Sequence, residues 1–306
     1  MRWSFSAYNS FRKCPRQWFY KQIFSSSRAN DPVRKEAYRL SKLENIQAWR
    51  GKVVDTTISE IIIPSLTNGS FIPISEAQRA VLNLFDTQRA QRMSDYSNNQ
   101  VDKHTNGTFF ELEYEIPIAE EIFAKARLDV QQAISNFYNS EYVLNLISES
   151  KWLFPQRNLS FKHGDITVQV RPDLLLFRIT ATPVIFDWKV NARPLRDYWL
   201  QLVTGAIALT RCKPHIDWPL NAIQFGCHEI ELLEIQLLKG DVRIHKVSQD
   251  DIEDAEDLIS ISASQMQFAC GYEDMSKLSP QDFHVASDPW VCQICPFRKL
   301  CWEQVL

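Results

Sequence analysis

Two short apolar runs, each joined to an aspartate, constrain the fold of this chain more than any other feature. Asp173 opens the run 174–177, and the run 184–186 leads into Asp187, with thirteen residues between the two aspartates. Apolar runs of this length, bounded by turn residues, are typical of buried strands. Residues 180–183 read Thr-Ala-Thr-Pro and supply a turn. We therefore predict a hairpin that brings both carboxylates to one place.

Lys189 adds an amine to this predicted pair. It lies two residues beyond Asp187, and side chains two apart on a strand share a face. Carboxylates are costly to bury without a partner, and a hard divalent cation is a natural one. Two acids and a lysine around one cation can hydrolyse a phosphodiester. The alternative is a strand-end aspartate beside an ordinary Asp–Lys ion pair.

Length and composition place the chain among ordinary globular proteins. Its 306 residues are 45% hydrophobic and 23% charged, enough for one large domain or two modest ones. No apolar run approaches the ~20 residues of a membrane span, and the N-terminal residues lack an apolar signal core. We therefore expect a cytoplasmic protein with no membrane partner. In that compartment disulfides are an improbable use for the seven cysteines.

Charge is unevenly distributed along the chain. Residues 1–52 contain twelve Lys or Arg and three acids, a net charge of +9, whereas residues 226–289 carry a net charge of −10. A basic, aromatic-rich segment is what a nucleic-acid path requires. Trp3, Tyr8, Phe11 or Trp18 would be available for base stacking. The alternatives are a solvated helix face and aromatic residues that belong to the core.

The apolar pattern changes from helical to strand-like near residue 149. We predict helices over 35–63, 75–96, 119–147, 195–210 and 249–268, and strands over 149–158, 166–178, 184–190, 221–225 and 231–238. Residues of about 149–240 then form a compact α/β core. The helical region 64–148 is an inserted or flanking subdomain.

Three cysteines near the C-terminus have the spacing of metal ligands. They read Cys292-x2-Cys295-x5-Cys301. Cys14 is the best fourth ligand, because Cys14-Pro15 echoes the Cys-Pro pair at 295–296. Spacing alone leaves a tetrahedral zinc and an iron–sulfur cluster open, and the one-plus-three grouping favours the cluster. The remaining cysteines fit buried apolar positions; they are Cys212, Cys227 and Cys270.

Taken together, these motifs resemble the RecB-type nucleases of the PD-(D/E)xK superfamily that carry an iron–sulfur staple. This subgroup includes CRISPR-adaptation exonucleases and the nuclease domains of AddB-type helicase–nucleases. The matching residues follow one another along most of the chain: Ser4-Phe5-Ser6, Cys14-Pro15, Glu149, Pro172-Asp173, Asp187-Trp188-Lys189, Gln201-Leu202, Cys292, Cys295 and Cys301.

The resemblance implies an α/β fold with a restriction-endonuclease-like core. A mixed sheet flanked by helices would carry a helical insertion and an Fe–S-stapled region formed by both termini. The implied parts are an N-terminal helical part with the first cluster cysteine at 1–63, the insertion at 64–148, the nuclease core at 149–271 and the cysteine region at 272–306.

The resemblance also assigns roles to single residues. Asp173 and Asp187 would ligate Mg²⁺ or Mn²⁺, with help from the carbonyl group of Trp188. Lys189 would position or deprotonate the attacking water, and Gln201 would orient Lys189 or the substrate. Two further implied assignments are Glu149 at the family's earlier acidic position and a structural [4Fe–4S] cluster on Cys14, Cys292, Cys295 and Cys301.

The chain departs from the family pattern at two positions. Gly51 begins the family's Gly-x-x-x-His motif, but Asp55 stands in place of the histidine. An aspartate is an acceptable ligand for a hard cation and would favour Mg²⁺ over softer metals; the alternative is that Asp55 is merely exposed on its helix. The tyrosine that often follows the Gln-Leu pair is absent, and Gly205 lies near that place.

The function implied is a metal-dependent deoxyribonuclease, acting as an exonuclease on single-stranded or frayed DNA. Partner proteins would belong to CRISPR adaptation, recombination or defence complexes. Two alternatives stay open: a cleavage-incompetent DNA-binding or scaffolding relative whose motif is degraded at Asp55, and an unrelated zinc-stapled interaction protein.

Overall fold

The computed structural model describes residues 1–97, 107–179, 182–190, 195–219, 225–271 and 277–303. The helices are α1 Phe5–Lys13, α2 Pro15–Phe19, α3 Pro32–Leu40, α4 Ile46–Thr57, α5 Ile63–Thr67, α6 Ile74–Ser97, α7 Phe110–Glu113, α8 Glu120–Asn139, α9 Glu141–Ser148, α10 Leu195–Arg211, α11 Gln249–Ala269, α12 Pro289–Gln293 and α13 Arg298–Glu303. The strands are β1 Arg2–Trp3, β2 Ser150–Pro155, β3 Leu159–His163, β4 Ile166–Val170, β5 Leu174–Arg178, β6 Val184–Lys189, β7 Glu231–Gln236 and β8 Asp241–His245.

The chain divides into two compact units that interleave along the sequence. The first comprises Met1–Asn45, Ala90–Pro117 and Leu258–Leu306, and the second comprises Ile46–Arg89 and Ile118–Asp257. The boundaries predicted at 63, 148 and 271 follow changes in sequence pattern, and they do not coincide with these units. The predicted insertion 64–148 contributes to both.

A mixed sheet forms the centre of the second unit. Its strand order is β2-β5-β6-β7-β8, and every neighbouring pair is antiparallel except β6 and β7, which are parallel. The predicted hairpin is confirmed as β5–β6, in which Leu174 pairs with Phe186. The central strands are buried on both faces, which explains why their sequences are continuous apolar runs rather than alternating ones. The α/β class with a mixed sheet is confirmed.

One predicted strand is two strands in the structure. The expected strand 166–178 is interrupted after Val170, where β4 ends, and β5 begins at Leu174. Pro172 lies in the break, and proline cannot donate a hydrogen bond to a ladder. β4 pairs with β3 in a separate antiparallel hairpin, whereas β5 joins the main sheet. Of the strand predicted at 221–225, residues 221–224 lie outside the described residues.

The long predicted helices are also subdivided. The helix expected over 35–63 begins at Pro32, stops after Leu40 and resumes as α4. A π-helical turn, Ile58–Ile62, follows α4 directly, and Pro64 lies in the first turn of α5. These segments are continuous, and Pro64 lacks the N–H that would extend the helical hydrogen-bond pattern, in keeping with the change of helix type just before it. The stretch predicted over 119–147 is broken at Ser140 into α8 and α9.

The N-terminal and C-terminal segments pack together in the first unit. The amide of Arg16 donates to the carbonyl of His284 at 3.1 Å. The ring of Tyr20 stacks on that of Phe297 with centroids 5.2 Å apart. Within the described part of the chain, no helix combines the length and the apolar character needed to span a bilayer.

Two of the four aromatic residues considered for base stacking belong to the buried core. Trp3 and Trp18 are 0% and 3% exposed, which removes them from any base-stacking role as the structure stands. Tyr8 and Phe11 are only partly buried.

Candidate active site and cysteine pocket

Asp173 lies immediately before β5. It is therefore at the end of the sheet where β5 begins and its neighbour β6 ends. The backbone amide of Trp188 donates to Oδ2 of Asp173 at 2.8 Å, which fixes the carboxylate against the neighbouring strand. Strand pairing explains the placement: because Leu174 faces Phe186 across the hairpin, the residue before β5 lies beside Asp187 and Trp188. The hairpin therefore brings Asp173 and Asp187 to one edge, as the sequence predicts.

Asp187 receives two side-chain donors. The ammonium group of Lys189 lies 2.6 Å from both Oδ1 and Oδ2 of Asp187, and its hydrogen bond goes to Oδ1. Nε2 of Gln201, on α10, donates to the same Oδ1 at 2.8 Å. Gln201 therefore holds the carboxylate rather than Lys189 itself. Oδ2 is buried and accepts no hydrogen bond from the described residues.

Asp55, on α4, completes a cluster of three aspartates. Its Oδ1 accepts a hydrogen bond from the indole nitrogen of Trp188 at 2.9 Å and another from Nε2 of Gln156 at 2.7 Å. Asp55 is half-buried, so it is not simply a solvated helix residue. The structure brings it to the site together with Asp173, Asp187 and Lys189.

Burial raises the pKa of all three aspartates. The rise is large for Asp173, where the charge of Asp187 adds to the effect of burial and the ammonium of Lys189 opposes it. For Asp187, burial is again the main cause and Lys189 opposes it. For Asp55, burial outweighs the hydrogen bond from Trp188 and the charge of Arg171. Three carboxylic acids buried at one site are stabilised in their ionised form by a nearby cation.

Glu149 does not join this cluster. It is exposed at the C-terminal cap of α9, directly before β2. β2 is antiparallel to β5, so Ser150 lies opposite Arg178 and Pro155 lies opposite Leu174. At about 3.3 Å per residue, Glu149 is separated from the Asp173 end by most of the strand length.

Two residues near the acids were not expected from the sequence. Gln156, which follows β2, contacts Asp55 and Asp173. Glu234 on β7 pairs in register with Asp187; it is fully buried, and Nε2 of Gln236 donates to it at 2.5 Å. An acid inside the apolar run of β7 was a usable signal for Glu234. Gln156 gave none, because it fell inside the strand predicted over 149–158, whereas β2 ends at Pro155.

The chemistry of the cluster fits a hard divalent cation. Its oxygen donors are carboxylates, which suit Mg²⁺ or Mn²⁺, and Oδ2 of Asp187 is buried with the Lys189 ammonium as its charged partner. No group of three or more His, Cys, Asp or Glu in the described ranges is arranged as it would be around a bound metal ion. The Lys189 ammonium neutralises Asp187 in the observed arrangement, so binding would require side chains to rotate.

The four predicted cysteine ligands line one pocket in the first unit. The thiols belong to Cys14, Cys292, Cys295 and Cys301. Burial raises the pKa of Cys295 to about 12, and the charges of the other three thiols contribute. Nη1 of Arg16 donates to Sγ of Cys301 at 3.7 Å. A set of converging thiols suits zinc or an iron–sulfur cluster. In the described residues these four cysteines are not spaced as they would be around one bound metal ion.

The remaining cysteines do not line this pocket. Cys212 and Cys270 are buried, and burial raises the pKa of both thiols. Cys227 is half-buried and lies 3.3 Å from the hydroxyl of Thr210.

The fold and the site define an α/β protein with a carboxylate–lysine cluster at the edge of a mixed sheet. The sequence profile of the PD-(D/E)XK nuclease superfamily matches residues 2–302. The chain therefore belongs to the PD-(D/E)XK nuclease superfamily.

A similar solved structure is that of a "putative exonuclease" from Eubacterium rectale. It is 11% identical in sequence, and the alignment covers 89% of this chain and 82% of that chain with a TM-score of 0.42. A search of curated proteins found no match.

Proposed function

We propose that this protein is a metal-dependent DNA nuclease of the RecB-like type, acting as an exonuclease on single-stranded or frayed DNA. Membership of the PD-(D/E)XK nuclease superfamily supports a phosphodiester hydrolase. The observation that carries the proposal is the convergence of Asp55, Asp173, Asp187 and Lys189 through the contacts described above.

Asp55, Asp173 and Asp187 would hold Mg²⁺ or Mn²⁺, with the carbonyl group of Trp188 as a further ligand. When bound, the cation would neutralise charge on the phosphate and lower the pKa of a coordinated water. The three carboxylates would then be held ionised. The cation would thereby offset the burial that is the main cause of their raised pKa, and the charge repulsion that adds to it.

Lys189 is the proposed proton-handling group. Its side chain is 19% exposed and its ammonium reaches the carboxylate of Asp187, so Lys189 lies at the border between the buried acids and solvent. From there the neutral amine form of Lys189 would orient the attacking water and take up its proton, and the ammonium so formed would offset phosphate charge. Gln201 would keep the Asp187 carboxylate in the orientation that Lys189 requires.

The basic N-terminal segment would guide DNA by its charge. Part of its +9 is neutralised internally, because Arg39 pairs with Glu113 and Arg50 pairs with Asp129. Arg12, Lys13 and Lys21 remain exposed to solvent. Contacts of this kind are sequence-tolerant and weaken steeply with salt. Affinity for an oligonucleotide that is independent of salt would remove this part of the proposal.

Cys14, Cys292, Cys295 and Cys301 would hold a [4Fe–4S] cluster of structural rather than redox function. Their shared pocket supports a common ligand. Held there, the cluster would join the N-terminal and C-terminal segments. The resemblance to CRISPR-associated exonucleases suggests adaptation, recombination or defence complexes as the setting.

The test is digestion of DNA labelled at the 5′ or the 3′ end, with single-stranded, blunt and frayed substrates. Each is incubated with Mg²⁺, Mn²⁺ or EDTA. Stepwise shortening from one end, in the presence of a divalent ion only, is the expected result. Salt-sensitive DNA binding without cleavage in the presence of any of these metal ions would favour the alternative of a cleavage-incompetent DNA-binding protein. The feature that favours this alternative is Asp55, which stands where the family has a histidine.

A further inference from the structure

Gln156 has an unusual backbone for a residue with a side chain. It follows the end of β2 and has φ of 52°, in the left-handed region that favours glycine. Its amide donates to the carbonyl of Asp173 at 3.0 Å, which holds the loop to the start of β5. A disfavoured conformation persists only where the surroundings impose it, and such positions cluster at functional sites.

The left-handed turn aims the side chain of Gln156 between two acids. Nε2 donates to Oδ1 of Asp55 at 2.7 Å and lies 3.5 Å from Oδ1 of Asp173. One neutral amide group therefore connects the carboxylate on α4 with the carboxylate before β5. At Asp55 the amide shares Oδ1 with the indole of Trp188 and leaves Oδ2 for another partner. At Asp173 the amide faces Oδ1, whereas the backbone amide of Trp188 already occupies Oδ2.

We propose that Gln156 is a positioning residue that fixes the separation and the orientation of Asp55 and Asp173, and thereby sets the affinity of the site for a divalent cation. This inference rests on the proposed function. A glutamine suits the task because its NH₂ group offers two donors and adds no charge to a cluster that already contains three acids. Partners of ligating carboxylates typically change metal affinity by about 10–100-fold.

The experiment measures Mn²⁺ affinity by isothermal titration calorimetry on the anaerobically purified full chain, together with the melting temperature in metal-free buffer. Gln156→Met keeps the side-chain length and removes the donors. Gln156→Gly removes the side chain and accepts the positive φ without strain. The control is Glu115→Gly, because Glu115 is exposed, has φ of 53° and belongs to the other unit.

Both Gln156 variants are expected to bind Mn²⁺ at least tenfold more weakly than the parent. Gln156→Gly is expected to melt above Gln156→Met, and Glu115→Gly to retain the affinity of the parent. A merely structural role would change the melting temperature and leave the dissociation constant unchanged, and that result would overturn the inference. A parent chain that binds no cation would instead remove the proposed function and this inference with it.

Discussion

The indole nitrogen of Trp188 donates a 2.9 Å hydrogen bond to Oδ1 of Asp55, and the amide of the same residue donates a 2.8 Å hydrogen bond to Asp173. Trp188 thus connects α4 with the hairpin that carries the other acids. Trp188 therefore does more than separate Asp187 from Lys189 in the motif, because its two hydrogen bonds hold the carboxylates of Asp55 and Asp173 in place.

Trp188→Phe is expected to lower stability by about 2 kcal/mol, because it removes the indole donor from a carboxylate and leaves a small gap. Urea unfolding of the protein measures the change. The matched control is Trp152→Phe on β2; the indole nitrogen of Trp152 makes no recorded hydrogen bond in the described residues, and a smaller loss is expected there. Equal losses for the two variants would count against the support assigned to Trp188.

Asp173→Asn is expected to abolish cleavage yet stabilise the metal-free protein. Burial and the charge of Asp187 raise the pKa of Asp173. A raised pKa in the folded state means that stability falls as pH rises through that pKa. Scanning fluorimetry in metal-free buffer should therefore show a small difference from the parent below the ordinary pKa of an aspartate and a gain of about 2–4 °C at higher pH. A variant that never melts above the parent would contradict the raised pKa of Asp173.

Glu113 provides a test within the first unit. It is buried, and it accepts hydrogen bonds from Arg39 at 2.6 and 2.8 Å and from Lys299 at 2.7 Å. Burial alone would raise its pKa, but these two cations outweigh burial and the pKa is lowered. The stabilisation is thus present above the ordinary pKa of a glutamate and is lost as pH falls through the lowered value.

Glu113→Gln should therefore lower stability by about 3 kcal/mol at neutral pH, and the difference from the parent should close in acid. Urea unfolding between pH 3 and pH 7 measures both. Glu36→Gln is the control, because Glu36 is the more exposed partner of Arg39 and its loss should cost less. A difference that is constant with pH would contradict the charge-based explanation.

Cys14→Ser should remove most of the iron and sulfide from anaerobically purified protein and bleach its brown colour. The reason is that Cys14 is the one proposed ligand outside the C-terminal group. Cys227→Ser, at a half-buried cysteine outside the pocket, should leave the iron content unchanged. A colourless parent that contains zinc would favour the zinc-stapled alternative.

The hairpin acids and Lys189 were predictable because strand periodicity and a turn are local signals. Local signals did not predict β3 and β8, because these strands depend on pairing with a neighbouring strand. β3 and β8 contain alternating charged and apolar residues too short to distinguish from loops, and they form because β4 and β7 offer them edges. The break at Pro172 was visible, but the apolar residues on either side suggested continuity.

The surroundings of the acids were less predictable than the acids. Gln156 is a polar loop residue whose role depends on a backbone angle and on two aspartates that lie 101 and 17 positions away. Glu149 satisfied a motif by position, yet it lies before β2 while the acids lie beyond the other end of that strand. At Gly205 a Cβ would lie 3.6 Å from Ile185 on β6, an ordinary contact distance, so packing does not require a glycine there.

The most direct test of the central claim is the rate at which Lys189→Ala shortens end-labelled single-stranded DNA with saturating Mg²⁺ or Mn²⁺. Removal of the proposed proton-handling group should lower the rate by a hundredfold or more, about the contribution of a general base, while filter binding of the same DNA is retained. Lys239→Gln, an exposed lysine between β7 and β8, should cleave like the parent. A Lys189→Ala protein that cleaves at the parent rate would contradict the assignment of this cluster as the active site.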